Sequence, residues 1–371
     1  MLPYLCYATV LSILSVYSYF LVDPNLTLVN HPLWESFRNF TVYWGYYQRG
    51  WSVALYLALV LLLYLFHRYF VRNAKNVNLR YLLLILGGVG LLSYPFLSHD
   101  FFNYMFDAKI FTFYGQNPYL KSALDFPADQ WVRFMHWTHR TYPYGPVFLL
   151  LSFLPSALSF GKFLISYLLF KVLFLVLVLS GLFLVGKKYK KEVVYIGTQP
   201  LFILEGLVNM HNDLVALGLV LLGVAFLLKK RKWFQNVFIF ALASLIKYTN
   251  FPVLLLSFGR RKLIVGLALV GQLALIAYFA FYQVLQPWYF LNLLPFAIFF
   301  LSSFEDWDIF FLGLLFSYYP YIFLGGWDKP EKVNMKMQII AASLILNLLY
   351  LGIKRLGSLK EGVVLSSKGQ I

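Results

Sequence analysis

The segment from Tyr81 to Asp107, YLLLILGGVGLLSYPFLSHDFFNYMFD, joins a long apolar run to a polar and aromatic stretch. An apolar run of this length is typical of a transmembrane helix. In the stretch that follows, Asp100, Asn103 and Asp107 share one face of a predicted helix, and aromatic side chains cover the other faces. A carboxylate placed where the apolar chain meets water, in a chain with few acidic residues, indicates a functional site.

The composition requires a lipid environment. Of the 371 residues, 61% are hydrophobic and 12% are charged, which is too much apolar surface for a soluble fold to bury. The formal net charge of +16 does not indicate nucleic-acid binding, because the basic residues form short clusters between apolar runs, as the positive-inside rule expects of cytoplasmic loops. These clusters are Lys187–Lys191, Lys229–Lys232, Arg260–Lys262 and Lys354–Arg355. With Cys6 as its single cysteine, the chain has no disulfide framework and no cysteine metal site.

Apolar runs of about 20 residues predict an all-α polytopic membrane protein with about 11 or 12 crossings. Residues 1–371 are expected to form one membrane domain: N-terminal spans (1–97), an outer loop with interfacial helices (98–142), the remaining spans (143–353) and a cytoplasmic tail (354–371). With the amino terminus inside, Asp100 lies on the non-cytoplasmic side. The predicted crossings include Leu2–Val22, Trp51–Val71, Tyr81–Leu97, Leu164–Val185, Val193–Val208, Leu214–Leu228, Leu263–Leu285, Phe290–Leu301, Ile309–Leu324 and Ile339–Ile353.

Two regions are too short for ordinary crossings. Phe148–Phe160 is expected to be re-entrant, because a full crossing there puts the Lys187–Lys191 cluster outside. Phe234–Ile246 and Phe251–Phe258 form either one irregular span or two half-helices that meet at Lys247–Asn250. The half-helix interpretation keeps both flanking basic clusters inside and puts Lys247 outside.

The outer ends of the predicted spans hold the residues suited to catalysis and ligand binding, whereas the inner ends carry basic clusters and little else. An active centre is therefore expected at the outer face. The outer set is His99, Asp100, Asn103, Asp107, Arg133, His136, His139, Arg140, His211, Asn212, Asp213, Lys247, Trp288 and Tyr289.

The order of the motifs between Ser98 and Tyr289 resembles the GT-C class of glycosyltransferases. It is most similar to family 87 and the polyprenol-phosphate-mannose-dependent mannosyltransferases. The resemblance implies transfer of a hexose, with mannose expected, from a polyprenyl-phosphate donor to a lipid-linked or cell-envelope glycan acceptor. It also implies inversion at the anomeric carbon and an active site on the non-cytoplasmic face of the cell membrane. The matching motifs are Asp100–Tyr104, Gly115–Tyr119, Tyr142–Pro146, Glu205–Asp213, Lys247-Tyr248 and Gln286–Tyr289.

Each candidate site residue has an expected role under this resemblance. Asp100 is the expected general base, and Lys247 with Arg133 or Arg140 is the expected clamp for the donor phosphate. The remaining candidates orient the donor or support the site: His211, Asn212 and Asp213 beside the phosphate, Trp288 and Tyr289 on the sugar ring, and His99, Asn103, Asp107 and Glu205 around them. No cofactor is expected, and although a divalent cation suits these residue types, His99, His211 and Asp213 lack a specific metal-binding spacing.

Simpler interpretations exist for the same residues. Asp100, Asn212 or Asp213 can act as helix N-caps, Lys247 can extend from a span end towards water, and Trp288 and Tyr289 can be ordinary interfacial aromatics. The alternative function is a transporter or flippase of lipid-linked saccharides, which should hold its ionisable groups near the bilayer midplane on broken helices. The gathering of these groups at one face favours an enzyme. A structural scaffold leaves them without a purpose.

Overall fold

A computed structural model describes residues 1–229 and 232–368, with side chains described through Leu356. Lys230 and Arg231 of the Lys229–Lys232 cluster, and residues 369–371 of the predicted tail, lie outside the described residues. Within the described ranges the secondary structure is helical, with no strand. The predicted all-α fold class is confirmed.

We number the α-helices of the described chain in order. Short 3₁₀ or π-helical segments extend or connect them, including Ser18–Leu21, Phe202–Val208, Tyr248–Phe258, Pro287–Phe296 and Tyr321–Gly325. The α-helices are α1 (Leu2–Tyr17), α2 (Pro32–Val42), α3 (Arg49–Arg72), α4 (Leu79–Leu92), α5 (Asp100–Thr112), α6 (Pro146–Leu158), α7 (Phe163–Gly186), α8 (Lys190–Thr198), α9 (Asn212–Leu228), α10 (Trp233–Ser244), α11 (Lys262–Tyr282), α12 (Ala297–Glu305), α13 (Asp308–Phe316) and α14 (Pro330–Lys368).

Seven helical segments of the described chain are long and apolar enough to cross a membrane, which makes this a multi-pass membrane protein. Phe202–Val208 and α9, bent by 104° relative to each other, add an eighth if they form one broken span. The predicted 11 or 12 crossings depend on four shorter apolar helices, namely α4, α6, α10 and Tyr248–Phe258, and stay a prediction. The seven segments are Leu2–Leu21, Arg49–Arg72, Phe163–Gly186, Lys262–Tyr282, Pro287–Glu305, Asp308–Gly325 and Pro330–Leu356.

Two predicted crossings are interrupted near a proline. In the Tyr81–Leu97 run, α4 ends at Leu92, and Ser93 is extended two residues before Pro95. In the Val193–Val208 run, α8 ends at Thr198, and Gln199 before Pro200 has ψ 124°. A proline removes a helical hydrogen bond and disfavours the helical conformation of the residue before it. Hydrophobicity alone therefore overestimated the length of these two helices.

The two regions predicted to be too short for ordinary crossings contact each other near Lys247. α6 has 13 residues, and α10 and Tyr248–Phe258 are separate helices that pack against each other, in agreement with the half-helix interpretation. The backbone N–H of Gly145, just before α6, donates to the carbonyl of Ile246 at 3.1 Å. This contact brings the start of α6 beside Lys247.

The helix α5 is enclosed by protein. Phe101 to Ile110 are all buried, and the ring of Phe101 makes edge contacts with Tyr167, Phe170 and Phe174 of α7. The sequence predicted helices lying on the membrane in this loop. α5 instead buries its polar face together with its aromatic faces, because the aromatic side chains pack against protein such as α7 rather than against lipid.

Beside α5, α7 packs closely against α9. A Cβ on Gly218 of α9 would lie 2.9 Å from the backbone of Leu177 in α7, so only glycine permits this approach. Small residues are typical of such helix contacts in membranes. The close contact fixes the start of α9, which carries His211 and Asp213, relative to α5.

Candidate active site

Asp100 is the first residue of α5, and its carboxylate does not cap the helix. Its backbone N–H donates to Ser98 Oγ at 3.3 Å. Its Oδ1 lies 3.5 Å from Arg140 Nη2, and its Oδ2 lies 3.9 Å from His211 Nδ1. The side chain is therefore aimed at other polar groups, and the simpler interpretation as a side-chain N-cap does not hold.

A cavity of about 500 Å³ opens in front of this carboxylate. Asp100, Arg140, Lys247, Trp288 and Tyr289 all line it, as the sequence predicted for a common pocket. Among the described residues that line the cavity, Asp100 is the only carboxylate. Its volume lies within the range of small-molecule binding sites.

His211 lies behind the cavity wall, between two carboxylates. Its Nδ1 faces Asp100, and its Nε2 lies 3.2 Å from Glu205 Oε2. The ring stacks on Trp288, with the ring centroids 4.1 Å apart and the planes 17° apart. Glu205 belongs to the π-helical segment Phe202–Val208, a distortion often found at functional sites. The buried Glu205 thus has His211 beside it, and the imidazole lies between Glu205 and Asp100.

Lys247 forms an ion pair with Asp213. The Nζ lies 2.8 Å from Asp213 Oδ2 and 5.1 Å from the centre of the Tyr289 ring. Asn292 Nδ2 donates to the other oxygen, Asp213 Oδ1, at 2.7 Å. Because Asp213 is fully buried and its side chain does not cap α9, this pair holds Lys247 at the cavity rather than extended into water.

The polar face of α5 continues below Asp100. Asn103 Nδ2 donates to the carbonyl of Trp137 at 3.3 Å. Burial raises the pKa of Asp107 to about 7, the positive charge of Arg140 lowers it, and the negative charge of Asp100 raises it. Asn103 and Asp107 do not line the cavity. Asn103 affects it only by holding the outer loop at Trp137, and Asp107 only through its charge near Arg140 and Asp100.

Two histidines stand at the rim of the cavity. The rings of His99 and His136 stack, with centroids 3.6 Å apart and planes 10° apart. Burial lowers the pKa of His99 to about 3, and the neighbouring His136 lowers it further. The His99 ring is therefore neutral at physiological pH and adds no positive charge beside Asp100.

Arg133 and Asn212 also lie away from the cavity. Arg133 is exposed, because Trp131 and Phe134 direct the opposite face of the short 3₁₀ segment Val132–Phe134 into the core. Of the two arginines predicted as alternatives for the phosphate clamp, Arg140 lines the cavity and Arg133 does not. Asn212 is buried, its backbone N–H donates to Tyr104 Oη at 3.4 Å, and its side-chain amide has no hydrogen-bond partner among the described residues.

Lys336 in α14 was missed by the sequence analysis. It is 2% exposed, lines the cavity and donates to Gln286 Oε1. Its Nζ lies 5.0 Å from the ring centre of Trp327 and 5.9 Å from that of Trp288. No carboxylate of the described residues lies within ion-pairing distance of it. The available signal was weak, since the predicted last crossing began at Ile339 and left Lys336 in the polar segment before it.

A multi-pass helical protein with a carboxylate, cations and aromatic rings around one cavity fits the class of membrane-embedded glycosyltransferases. Comparison with known families matches residues 24–259 to the MptA_B family, described as alpha-(1->6)-mannopyranosyltransferase, N-terminal domain. The match covers more than half of the chain. The protein therefore belongs to this family and is a membrane mannosyltransferase. Asp100, His211 and Lys247 lie inside the matched range, whereas Trp288 and Lys336 lie beyond it. Comparisons with curated proteins and with solved structures found no match.

Proposed function

We propose that this protein transfers mannose from a polyprenyl-phosphate donor to a lipid-linked or cell-envelope glycan, with Asp100 as the general base. The family description supports an α-1,6 linkage in the product. A single displacement inverts the anomeric carbon, so an α-linked product requires a β-linked donor. The acceptor hydroxyl loses its proton to Asp100 as its oxygen bonds to the sugar, and the polyprenyl phosphate leaves with the electron pair of the broken bond.

The observation that carries this proposal is the position of Asp100 as the only carboxylate among the described residues that line the cavity. A general base must reach the acceptor proton within hydrogen-bond distance, and the described lining residues include no second carboxylate to act as a covalent nucleophile. Arg140 and His211 lie 3.5 and 3.9 Å from the two oxygens of the carboxylate and hold it at the cavity.

Lys336 and Lys247 are the proposed partners of the donor phosphate. A phosphate that leaves in a low-dielectric site needs fixed positive charge. Arg140 and Lys247 already face carboxylates, whereas Lys336 is buried, donates to a neutral amide and has no carboxylate of the described residues within ion-pairing distance. The negative charge of Glu205 reaches it only from farther away. A buried charge without a counter-ion is costly, so a bound phosphate stabilises Lys336 most. His211 and Asp213 orient these groups, and Trp288 and Tyr289 offer stacking surfaces for the sugar.

The partners of the reaction are therefore the lipid-carried donor, the glycan or glycolipid acceptor and the bilayer itself. We propose no cofactor for the transfer step, because the lysines supply the charge that it needs. We place the cavity on the non-cytoplasmic face of the cell membrane, since the basic clusters belong at the opposite ends of the spans.

A transporter of lipid-linked saccharides is the second candidate. One observation favours it: Glu205, His211 and Asp213 flank the 104° bend between Phe202–Val208 and α9, and broken helices carry the binding sites of many transporters. Both candidates predict donor binding, but only the enzyme forms a new glycosidic bond.

The deciding experiment incubates the purified protein in vesicles with radiolabelled β-mannosyl polyprenyl phosphate and an α-1,6-mannan glycolipid. We expect a labelled, longer glycolipid from the wild type and none from Asp100→Asn. Asp125→Asn, an exposed carboxylate of the same loop, is the matched control and should retain transfer. Transfer by Asp100→Asn at the wild-type rate refutes the base assignment. Movement of intact donor across the bilayer without product supports the transporter.

A further inference from the structure

Three side chains from distant parts of the sequence meet at the rim of the cavity. Asp23 follows the Ser18–Leu21 extension of α1, His99 immediately precedes α5, and His136 follows the 3₁₀ segment Val132–Phe134 in the outer loop. One carboxylate oxygen and one nitrogen from each imidazole lie within 4.8 Å of one another. Among the described residues this is the one group of three histidine or acidic side chains close enough to share an ion.

The ring nitrogens of this group are available to bind a ligand. Neither His99 nor His136 donates or accepts a side-chain hydrogen bond with another described residue. The His99 residue is 6% exposed and its imidazole, like that of His136, lines the cavity. Asp23 Oδ1 accepts one hydrogen bond, from the N–H of Asn25 at 2.7 Å, which leaves its other oxygen available as a ligand.

We propose that Asp23, His99 and His136 bind a divalent transition-metal ion, with Zn²⁺ the preferred one. Two imidazoles and one carboxylate form a ligand set that suits Zn²⁺, whereas Mg²⁺ and Ca²⁺ prefer oxygen ligands. Ligands about 2.0–2.2 Å from a tetrahedral ion lie roughly 3.3–3.6 Å from each other. The rings of His99 and His136 are stacked with their planes 10° apart, so one imidazole must rotate about its side-chain bonds before a nitrogen of each ring faces the ion. Three protein ligands leave a fourth position, and because His99 and His136 line the cavity, it is open to solvent.

The ion joins three segments that surround Asp100. It ties the segment after α1 and the outer loop to the residue directly before Asp100, so it positions the start of α5 and the cavity rim. This role is independent of the sugar, donor and linkage proposed above. The sequence did not reveal the site, because its ligands are 76 and 37 residues apart and follow no metal-binding motif.

The test measures metal content and affinity on the full chain, purified with an affinity tag that contains no histidine. We expect one Zn²⁺ per chain by plasma mass spectrometry after metal-free dialysis and reloading. A higher melting temperature with Zn²⁺ and no response to Mg²⁺ are also expected. His136→Ala removes an exposed side chain, so it should fold and lose affinity for Zn²⁺ by more than about tenfold, the usual effect of losing even a supporting partner of a metal ligand.

His139→Ala is the matched control, because His139 is exposed in the same loop and lies outside the group. It should keep the full Zn²⁺ content, and Asp23→Asn should lose it as His136→Ala does. A wild type that takes up no Zn²⁺ overturns the proposal. Equal Zn²⁺ affinity in the wild type and His136→Ala also overturns it, since the bound ion then lies elsewhere.

Discussion

At the scale of single residues, the charge around the cavity is unbalanced. Arg140, Lys247 and Lys336 line it, but Asp100 is the only carboxylate among its described lining residues, and Asp213 and Glu205 lie behind the wall. Two of the three cations have a carboxylate within 3.5 Å, and Lys336 has none among the described residues. The lining therefore carries more positive than negative charge, and Lys336 is the cation with room for the phosphate of a substrate.

The two lysines are expected to respond differently when methionine replaces them. Lys336→Met removes a buried unpaired charge, so the melting temperature should hold or rise. The apparent KM for the donor should increase by about tenfold or more, since a hydrogen bond to a charged group contributes about 1.5–3 kcal/mol. Lys247→Met should also weaken donor binding, but it leaves Asp213 buried without its cation and should lower the melting temperature. Donor titration and thermal unfolding measure the two effects.

Lys329→Met provides the control for both variants, because Lys329 is exposed one turn before Lys332 and does not line the cavity. It should change neither quantity. An unchanged donor KM in Lys336→Met, with Lys247→Met affected as expected, assigns the phosphate to Lys247 alone.

Asp107 predicts a pH dependence of stability. Its pKa rises from 3.8 to about 7 in the folded protein, so the folded state keeps a proton that the unfolded state releases. Stability from this group is therefore lost as pH rises from about 4 to about 7. Asp107→Asn cannot lose a proton, so its stability relative to wild type should increase over this window, by at most about 4 kcal/mol. Thermal unfolding in detergent at several pH values measures the difference.

Asp125→Asn is the opposite case. The backbone N–H of Ser122 and the Lys121 side chain hold the pKa of exposed Asp125 below its ordinary value, so that variant should lose relative stability only as pH rises towards about 4 and show no trend from about 4 to about 7. The same slope in both variants contradicts the assignment of a raised pKa to Asp107.

The sequence allowed part of the site to be predicted, for a physical reason. Asp100 and Lys247 each follow an apolar run, and charge clusters indicated on which side of the membrane these runs end, so a common pocket could be inferred. The contact of Gln286 with Lys336 joins residues 50 positions apart and depends on how two helices pack, which no local pattern encodes. Arg133 was misplaced because the direction of a side chain in an irregular loop depends on which neighbours are buried.

At the scale of helices, the hydrophobic runs predicted the existence of most elements but not their breaks. Proline ended the helices near Pro95 and Pro200, and α5 was buried by aromatic side chains that also suit a membrane surface. The sequence also could not predict the close approach of Gly145 to the segment that follows α10. It follows from tertiary packing, because Gly145 has an ordinary φ of −71° that any residue adopts.

Gly145→Ala should disrupt the contact between the start of α6 and the turn that carries Lys247. An ideal Cβ at Gly145 lies 1.9 Å from the carbonyl oxygen of Leu245, so the two segments must separate. We expect a lower melting temperature, by a free energy of about 1–3 kcal/mol as in other overpacked sites, and a weaker donor affinity. Thermal unfolding and donor titration test both.

Gly266→Ala in α11 is the matched control, since a Cβ there meets nothing within 4 Å. Alanine is the better helix former, so this variant should be as stable as the wild type or slightly more stable. Equal behaviour of the two variants would show that the Gly145 contact does not support the site.

At the scale of the whole molecule, the exposed basic cluster and the charged residues of the cavity lie at opposite ends of α7. Lys187 and Lys188 are exposed just after α7, and the proposed site lies at the other end of that helix, where α5 packs. A helix of 24 residues such as α7 is about 36 Å long and spans the hydrocarbon core. The cavity and the basic cluster are therefore expected on opposite sides of the membrane, and the positive-inside rule puts the cavity outside.

Cysteine labelling tests this orientation directly. In a Cys6→Ser background, which removes the only native cysteine, Leu120→Cys places a thiol in the exposed outer loop and Lys188→Cys places one beside the basic cluster. Both native side chains are exposed, so the substitutions should not disturb packing. A membrane-impermeant maleimide added to intact cells should label Leu120→Cys and spare Lys188→Cys, and permeabilised cells should show both. The reverse pattern puts Asp100 and the donor phosphate in the cytoplasm, and labelling of both variants in intact cells means that α7 does not cross the membrane.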